Sequence, residues 1–148
     1  MLVFSKSNDW ISRLIRLFNW GRYSHVEYLE ESTGMIWGAT PEYGVSVRPL
    51  AQMLEESDNV VAYKVNVEYN EQEVLDRIKS QLGKKYDWLA ILGFVLRKHT
   101  EDKDKWVCSE LQDWAFLPQV KFQNTETFKV SPEDILKSPL VSFVKELK

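Results

Sequence analysis

The sequence predicts an α+β fold with mostly antiparallel strands, and three observations carry that prediction. Short strand signals follow one another at 24–29, 35–39 and 45–47, with turn residues near Ser32-Thr33-Gly34 and between Pro41 and Gly44. A further run at 60–68 alternates, placing Val61, Tyr63, Val65 and Val67 on one face. Elsewhere, capping residues mark helix starts: Asn70 with Glu73 three residues later, and Ser131-Pro132-Glu133-Asp134. A chain of 148 residues is expected to form one domain, 1–148, with a core of its own.

In chain order, Ser7 or Asn8 can cap a helix running to about Asn19. Trp10, Ile11, Leu14, Ile15 and Phe18 fall at helical spacing, Arg13 and Arg16 fall on the other side, and Gly21 suits the stop. The three short strands follow, then a short helix at 50–55 and the alternating strand. The helix capped by Asn70 carries Val74, Leu75, Ile78 and Leu82, and Gly83 ends it. Residues 84–87 link into a hydrophobic helix at 88–96, and 97–105 is a charged, solvated loop that includes His99. The next helix starts at Cys108 with Val107, Leu111, Trp114 and Ala115 at core spacing; Asp113 reads as surface. The tail, 140–144, reads as a last strand.

Composition narrows the function. Hydrophobic residues make up 44% and charged residues 28%, as in a folded globular protein. The net charge of −3, with no basic run interleaved with aromatics, gives no reason to expect nucleic acid. A single cysteine excludes an internal disulfide and a multi-cysteine metal site, so no metal and no cofactor is expected. The first residues lack a basic leader followed by a long apolar run, and 88–96 is too short to span a bilayer. The expectation is a cytoplasmic protein with no integral membrane segment.

That single cysteine, Cys108, stands at the start of a helix, where the positive end of the helix dipole favours the thiolate. The chain has only two histidines, His25 and His99. His25 lies in the alternating segment Ser24-His25-Val26-Glu27, so His25 and Glu27 point to one side of a strand. A carboxylate there can orient the ring and stabilise its charged form. Nucleophile, base and orienting group are thus on hand: Cys108, His25 and Glu27. Glu110, in the first turn of the Cys108 helix, complements the dipole but would oppose a nearby thiolate.

Four segments together resemble a known family. Tyr23-Ser24-His25-Val26-Glu27, the stretch from Gly44-Val45 to Pro49-Leu50, Gly83-Lys84-Lys85-Tyr86-Asp87-Trp88, and Cys108-Ser109-Glu110-Leu111 occur in that order over residues 20–115. This pattern resembles the circularly permuted members of the NlpC/P60 papain-like superfamily, the group of the YiiX- and YaeF-type amidases. In that group the histidine precedes the cysteine. The resemblance implies a papain-like fold with a small antiparallel sheet or barrel packed against helices. It also implies hydrolysis of an amide or ester through an acyl-thioester on Cys108. His25 would be the base, Glu27 the orienting residue, and Tyr86 a neighbour shaping the pocket or oxyanion site. Trp106 would line the substrate pocket.

The chain departs from wall peptidases of this family at two points. Asp87-Trp88 stands where they carry a glycine pair, and Val107 rather than Asp precedes the cysteine. Substrates therefore range over a small peptide, a cell-wall fragment or an acyl lipid. Two alternatives to an amide hydrolase share the site: a lipid acyltransferase or thioesterase, and a ligand-binding domain without activity.

Overall fold

The computed structural model describes residues 1–8, 10–19, 21–87, 104–117 and 119–148. The expected helix at 88–96 and the expected loop from 97 to 103, with His99, lie outside them, while Lys105, expected in that loop, stands in a short strand. The order is β1 (Leu2–Lys6), α1 (Trp10–Asn19), β2 (His25–Glu30), β3 (Met35–Thr40), β4 (Gly44–Pro49), α2 (Leu50–Glu56), β5 (Asn59–Val65) and α3 (Glu71–Lys79). There follow β6 (Lys85–Tyr86), β7 (Lys105–Trp106), α4 (Cys108–Phe116), a 3₁₀ turn (Thr127–Lys129), α5 (Pro132–Leu136) and β8 (Val141–Glu146).

Six strands form one antiparallel sheet in the order β4-β3-β2-β1-β5-β8. The mixed α+β class and the antiparallel strands agree with the sequence. The N-terminal strand β1 is an addition: it lies in the middle of the sheet, pairing Val3 with Glu27 on one side and with Ala62 on the other. A short parallel contact, Lys85 with Lys105 and Tyr86 with Trp106, joins β6 to β7.

The sheet is buried on both faces. On one side Leu2, Phe4, Val26, Tyr28 and Val61 pack with Val74 and Ile78 of α3 and with Leu111, Ala115 and Phe116 of α4. On the other, Val3, Leu29, Ile36, Val60 and Ala62 pack with Met53 of α2. Alternation sends the odd and even residues of one strand into different clusters.

Local chemistry accounts for the helix ends. Asn70 accepts a hydrogen bond from the Glu73 N–H at 3.2 Å, and Ser131 accepts one from the Asp134 N–H at 3.2 Å. Two details differ from the sequence reading. The strand expected to reach Glu68 stops at Val65, and Val67 is 39% exposed. Leu82 lies past the end of α3 and is exposed. Arg16 Nη1 donates to the Ser7 carbonyl at 2.8 Å and to Ser12 Oγ at 2.9 Å, folding back over the start of α1.

Candidate active site

His25 opens β2, and Glu27 follows on the same side of the strand. Both stay paired to β1, while the ladder to β3 covers only Tyr28 to Glu30. Glu27 is fully buried, and the backbone opposite it explains how a carboxylate fits. A Cβ on Gly38 of β3 would sit 2.5 Å from Glu27 Cγ, so only glycine leaves that space.

One oxygen of Glu27 does most of the pairing. Its Oε2 lies 3.2 Å from His25 Nε2 and accepts from Arg48 Nη2 at 2.7 Å. The His25 contact is an ion pair rather than an aligned hydrogen bond, for Nε2 is buried without an aligned partner. Arg48 comes from β4, opposite Ile36, and its Nη1 donates to Glu56 Oε2 of α2 at 2.6 Å. Gln52 donates to the other oxygen of Glu56 at 2.8 Å.

Cys108 is the first residue of α4 and is 1% exposed. As a first helical residue, its N–H has no acceptor within the helix. The thiol neighbours both His25 and Tyr86 closely enough to raise the pKa of each. Tyr86 is placed by β6, which is fastened to β4 at a glycine. Gly44 has φ +65°, and a Cβ there would come within 2.3 Å of the Lys84 carbonyl oxygen. The close approach lets Val45 donate to that carbonyl at 2.8 Å and accept from the Gly83 N–H at 2.9 Å.

The electrostatics follow from this packing. Burial, the largest effect on His25, pulls its pKa down, but the neighbouring Cys108 and Glu27 raise it to about 10. Burial pushes the Glu27 carboxyl up, yet His25 and Arg48 hold it below the ordinary carboxylate range. Burial raises the Tyr86 phenol well above its usual value, helped by Cys108, Glu110 and Asp87. Tyr86 is therefore a neutral hydroxyl at ordinary pH.

A cavity of about 700 Å³ opens beside the site, lined by His25 and Tyr86 with Ser5, Ser24, Thr40 and Tyr43 among others. Its described lining is mostly hydroxyl-bearing and charged residues, with Ile15 and Pro41 the apolar exceptions.

The structure thus brings together Cys108, His25, Glu27 and Tyr86. Trp106 pairs with Tyr86 across β6 and β7, its ring packs on Trp114 at 5.1 Å and its Nε1 donates to Gln81 at 3.1 Å. Glu110 caps its own helix, accepting from the Val107 N–H at 3.4 Å. Asp113 is not on the surface: it is 2% exposed, and burial raises its pKa while Thr127 of the 3₁₀ turn and Lys121 oppose the rise. Arg48, Glu56 and Gly38 are additions to the sequence reading.

The fold has a solved counterpart. It is similar to the crystal structure of YiiX from Escherichia coli O157:H7, described as a metalloprotein of DUF1105. The TM-score is 0.77 over 98% of this chain and 94% of that one, at 18% sequence identity. The likeness at that identity is one of fold. No protein-family model matches the chain, and no curated protein matches it.

Proposed function

We propose that this protein is a cysteine hydrolase of the permuted NlpC/P60 papain-like kind, acting on an amide or ester carbonyl. The observation that carries the reading is the position of His25, which meets Cys108 on one hand and Glu27 on the other. The YiiX-like fold supports it, as does the order histidine, tyrosine, cysteine along the chain.

In this mechanism His25, held as imidazolium, keeps Cys108 as thiolate. The sulfur attacks the carbonyl carbon, a C–S bond forms, and the π electrons move to oxygen. The Cys108 N–H at the helix start and the neutral Tyr86 hydroxyl would donate to that oxyanion. Collapse breaks the C–N or C–O bond, and the imidazolium gives its proton to the leaving amine or alkoxide. Neutral His25 then takes a proton from water, whose oxygen attacks the thioester. The C–S bond breaks, releasing the acid and restoring the thiolate–imidazolium pair. With Nε2 facing Glu27, Nδ1 is the ring nitrogen left to exchange protons with sulfur.

The described cavity wall sets hydroxyl-bearing and charged side chains beside Ile15 and Pro41, so a small peptide, a polar amide and an acyl lipid all stay within the proposed substrate classes. The metal in the description of the E. coli neighbour finds no matching donors: among the described residues no three histidine, cysteine or carboxylate side chains converge. Glu27, the nearest carboxylate, is already occupied by a guanidinium. No step is routed through a metal.

The test is Cys108 alkylation by iodoacetamide, read by intact mass at pH 6 and pH 9. The wild type is expected to react at pH 6 at a rate within about tenfold of that at pH 9, and His25→Ala to lose the pH 6 reaction. Equal pH dependence in the two proteins would overturn the reading. Burial of Cys108 favours a second reading, a ligand-binding domain with an inert thiol. That reading expects slow reaction with DTNB in the folded state and fast reaction in urea, with His25→Ala making no difference.

A further inference from the structure

We propose that Arg48, braced by Glu56, is a positioning residue for the His25–Cys108 pair, and that it acts through Glu27. The inference rests on the hydrolase reading above and extends the site by two residues.

The argument starts from the carboxylate. Glu27 is fully buried, its Oε1 has no partner, and its Oε2 serves both His25 and Arg48. A buried carboxyl with one unpartnered oxygen gains little by staying charged, and rotation or protonation would release His25. The guanidinium opposes both outcomes. At 2.7 Å its Nη2 fixes Oε2 on the His25 side, and its charge favours the ionised carboxyl. The fork in turn is fixed by its second arm, since Nη1 holds Glu56 at 2.6 Å.

Charges alternate along the chain of contacts that leads to Cys108: Glu56 negative, Arg48 positive, Glu27 negative and His25 positive. The other titratable groups near this path are Tyr86, Glu110 and Asp87 on the Cys108 side and Glu42 and Asp58 on the cavity wall. Among the described residues of the cavity lining, the one base besides His25 is Arg48 itself.

Two roles for Arg48 predict opposite signs. As a cation acting through space it would repel the imidazolium, so removing it would raise the His25 titration midpoint. As a positioning residue it keeps Glu27 in place, so removing it would lower the midpoint. Only the second couples Arg48 to Glu27.

The experiment follows the Cε1–H resonance of His25 by NMR across pH in wild type, Arg48→Met, Glu27→Gln and the double variant. The Cys108 alkylation ratio at pH 6 and pH 9 serves as a parallel readout. In the wild type His25 should titrate near 10. Arg48→Met should lower the midpoint by about 1 unit or more, as expected for loss of a close charge partner. In the Glu27→Gln background Arg48→Met should produce no further fall. An unchanged or raised midpoint in Arg48→Met, or a further equal fall in the double variant, would overturn the proposal and leave the hydrolase reading standing. A wild-type midpoint near 6.5 would instead overturn the hydrolase reading. Should Arg48→Met not fold, Arg48→Lys carries the test. An ammonium lacks the fork that spans Glu27 and Glu56, so a smaller fall supports the proposal and an unchanged midpoint rejects it.

Discussion

Strand β2 is buried on both sides, and different physics holds each. Toward α4, Tyr28 packs its ring 5.8 Å from that of Phe116, beside Val26, and its hydroxyl donates to Glu71 at 2.7 Å. Toward α2, Glu27 meets Arg48 and His25. On the apolar side, stability scales with volume and each contact can be lost piecemeal. On the charged side, each group is tolerable only while its partner is present, because an uncompensated buried charge costs more than the pair gains. The apolar side supports the fold, and the charged side supports the proposed chemistry.

The largest expected effects separate the two sides by how they respond to a second substitution. Phe116→Ala should cost about 3–5 kcal/mol in urea unfolding, as large core truncations do. Arg48→Met should cost about the same by stranding Glu27. The difference appears on adding Glu27→Gln. It should recover at least half of the Arg48→Met loss and none of the Phe116→Ala loss. Additive losses in the Glu27–Arg48 pair would contradict the assignment of that side to paired charge.

Next in size is the dependence on pH, which belongs to the charged side alone. The His25 pKa is raised in the folded protein to about 10, so its contribution is complete below about 6.5, the unfolded value, and fades as pH rises toward 10. The Glu27 pKa is lowered, so its contribution is present above the unfolded carboxylate value and fades as pH falls below it. Unfolding midpoints in urea should therefore decline from about pH 6.5 to 10 in the wild type, and His25→Gln should flatten that decline. Phe116→Ala should lower the whole curve and keep its shape. A His25→Gln curve parallel to the wild type would remove His25 from the account.

Gly38→Ala sharpens the comparison at a single methyl. Its Cβ would press on Glu27 Cγ and Oε1, so an overpacking cost of about 1–3 kcal/mol is expected. The same change should slow Cys108 alkylation at pH 6, which Phe116→Ala should leave alone. If Gly38→Ala lowers stability without touching the alkylation rate, Glu27 has room to shift and its placement is not what matters.

How much of this was legible in the sequence depended on range. Cys108, His25 and Glu27 stand out as candidates because their signals are local: one cysteine at a helix start, and two polar residues two apart in a strand. β1 was missed because a short central strand buried on both faces has no alternation to read: Leu2, Val3 and Phe4 are all buried. Arg48 was missed because Val45-Ser46-Val47 followed by arginine looks like a strand running out into solvent. Only the register that sets Arg48 opposite Ile36 turns it toward Glu27. Asp113 was misplaced for a similar reason, since what covers it comes from a turn fourteen residues downstream at Thr127.

The smallest expected effect tests where the charged side ends. Glu56 is the outermost member of the chain, and its side chain is 43% exposed while Arg48 is 9% exposed. A half-exposed ion pair contributes little, so Glu56→Gln should cost less than about 1 kcal/mol. The amide oxygen can still accept from Arg48, which keeps the fork in place. Glu56→Ala removes that acceptor and frees the second arm. If Arg48 needs its brace, Glu56→Ala should lower the His25 titration midpoint by more than Glu56→Gln does, though by less than Arg48→Met. Equal midpoints in the two Glu56 variants and the wild type would place the boundary at Arg48, with Glu27 held by the guanidinium alone.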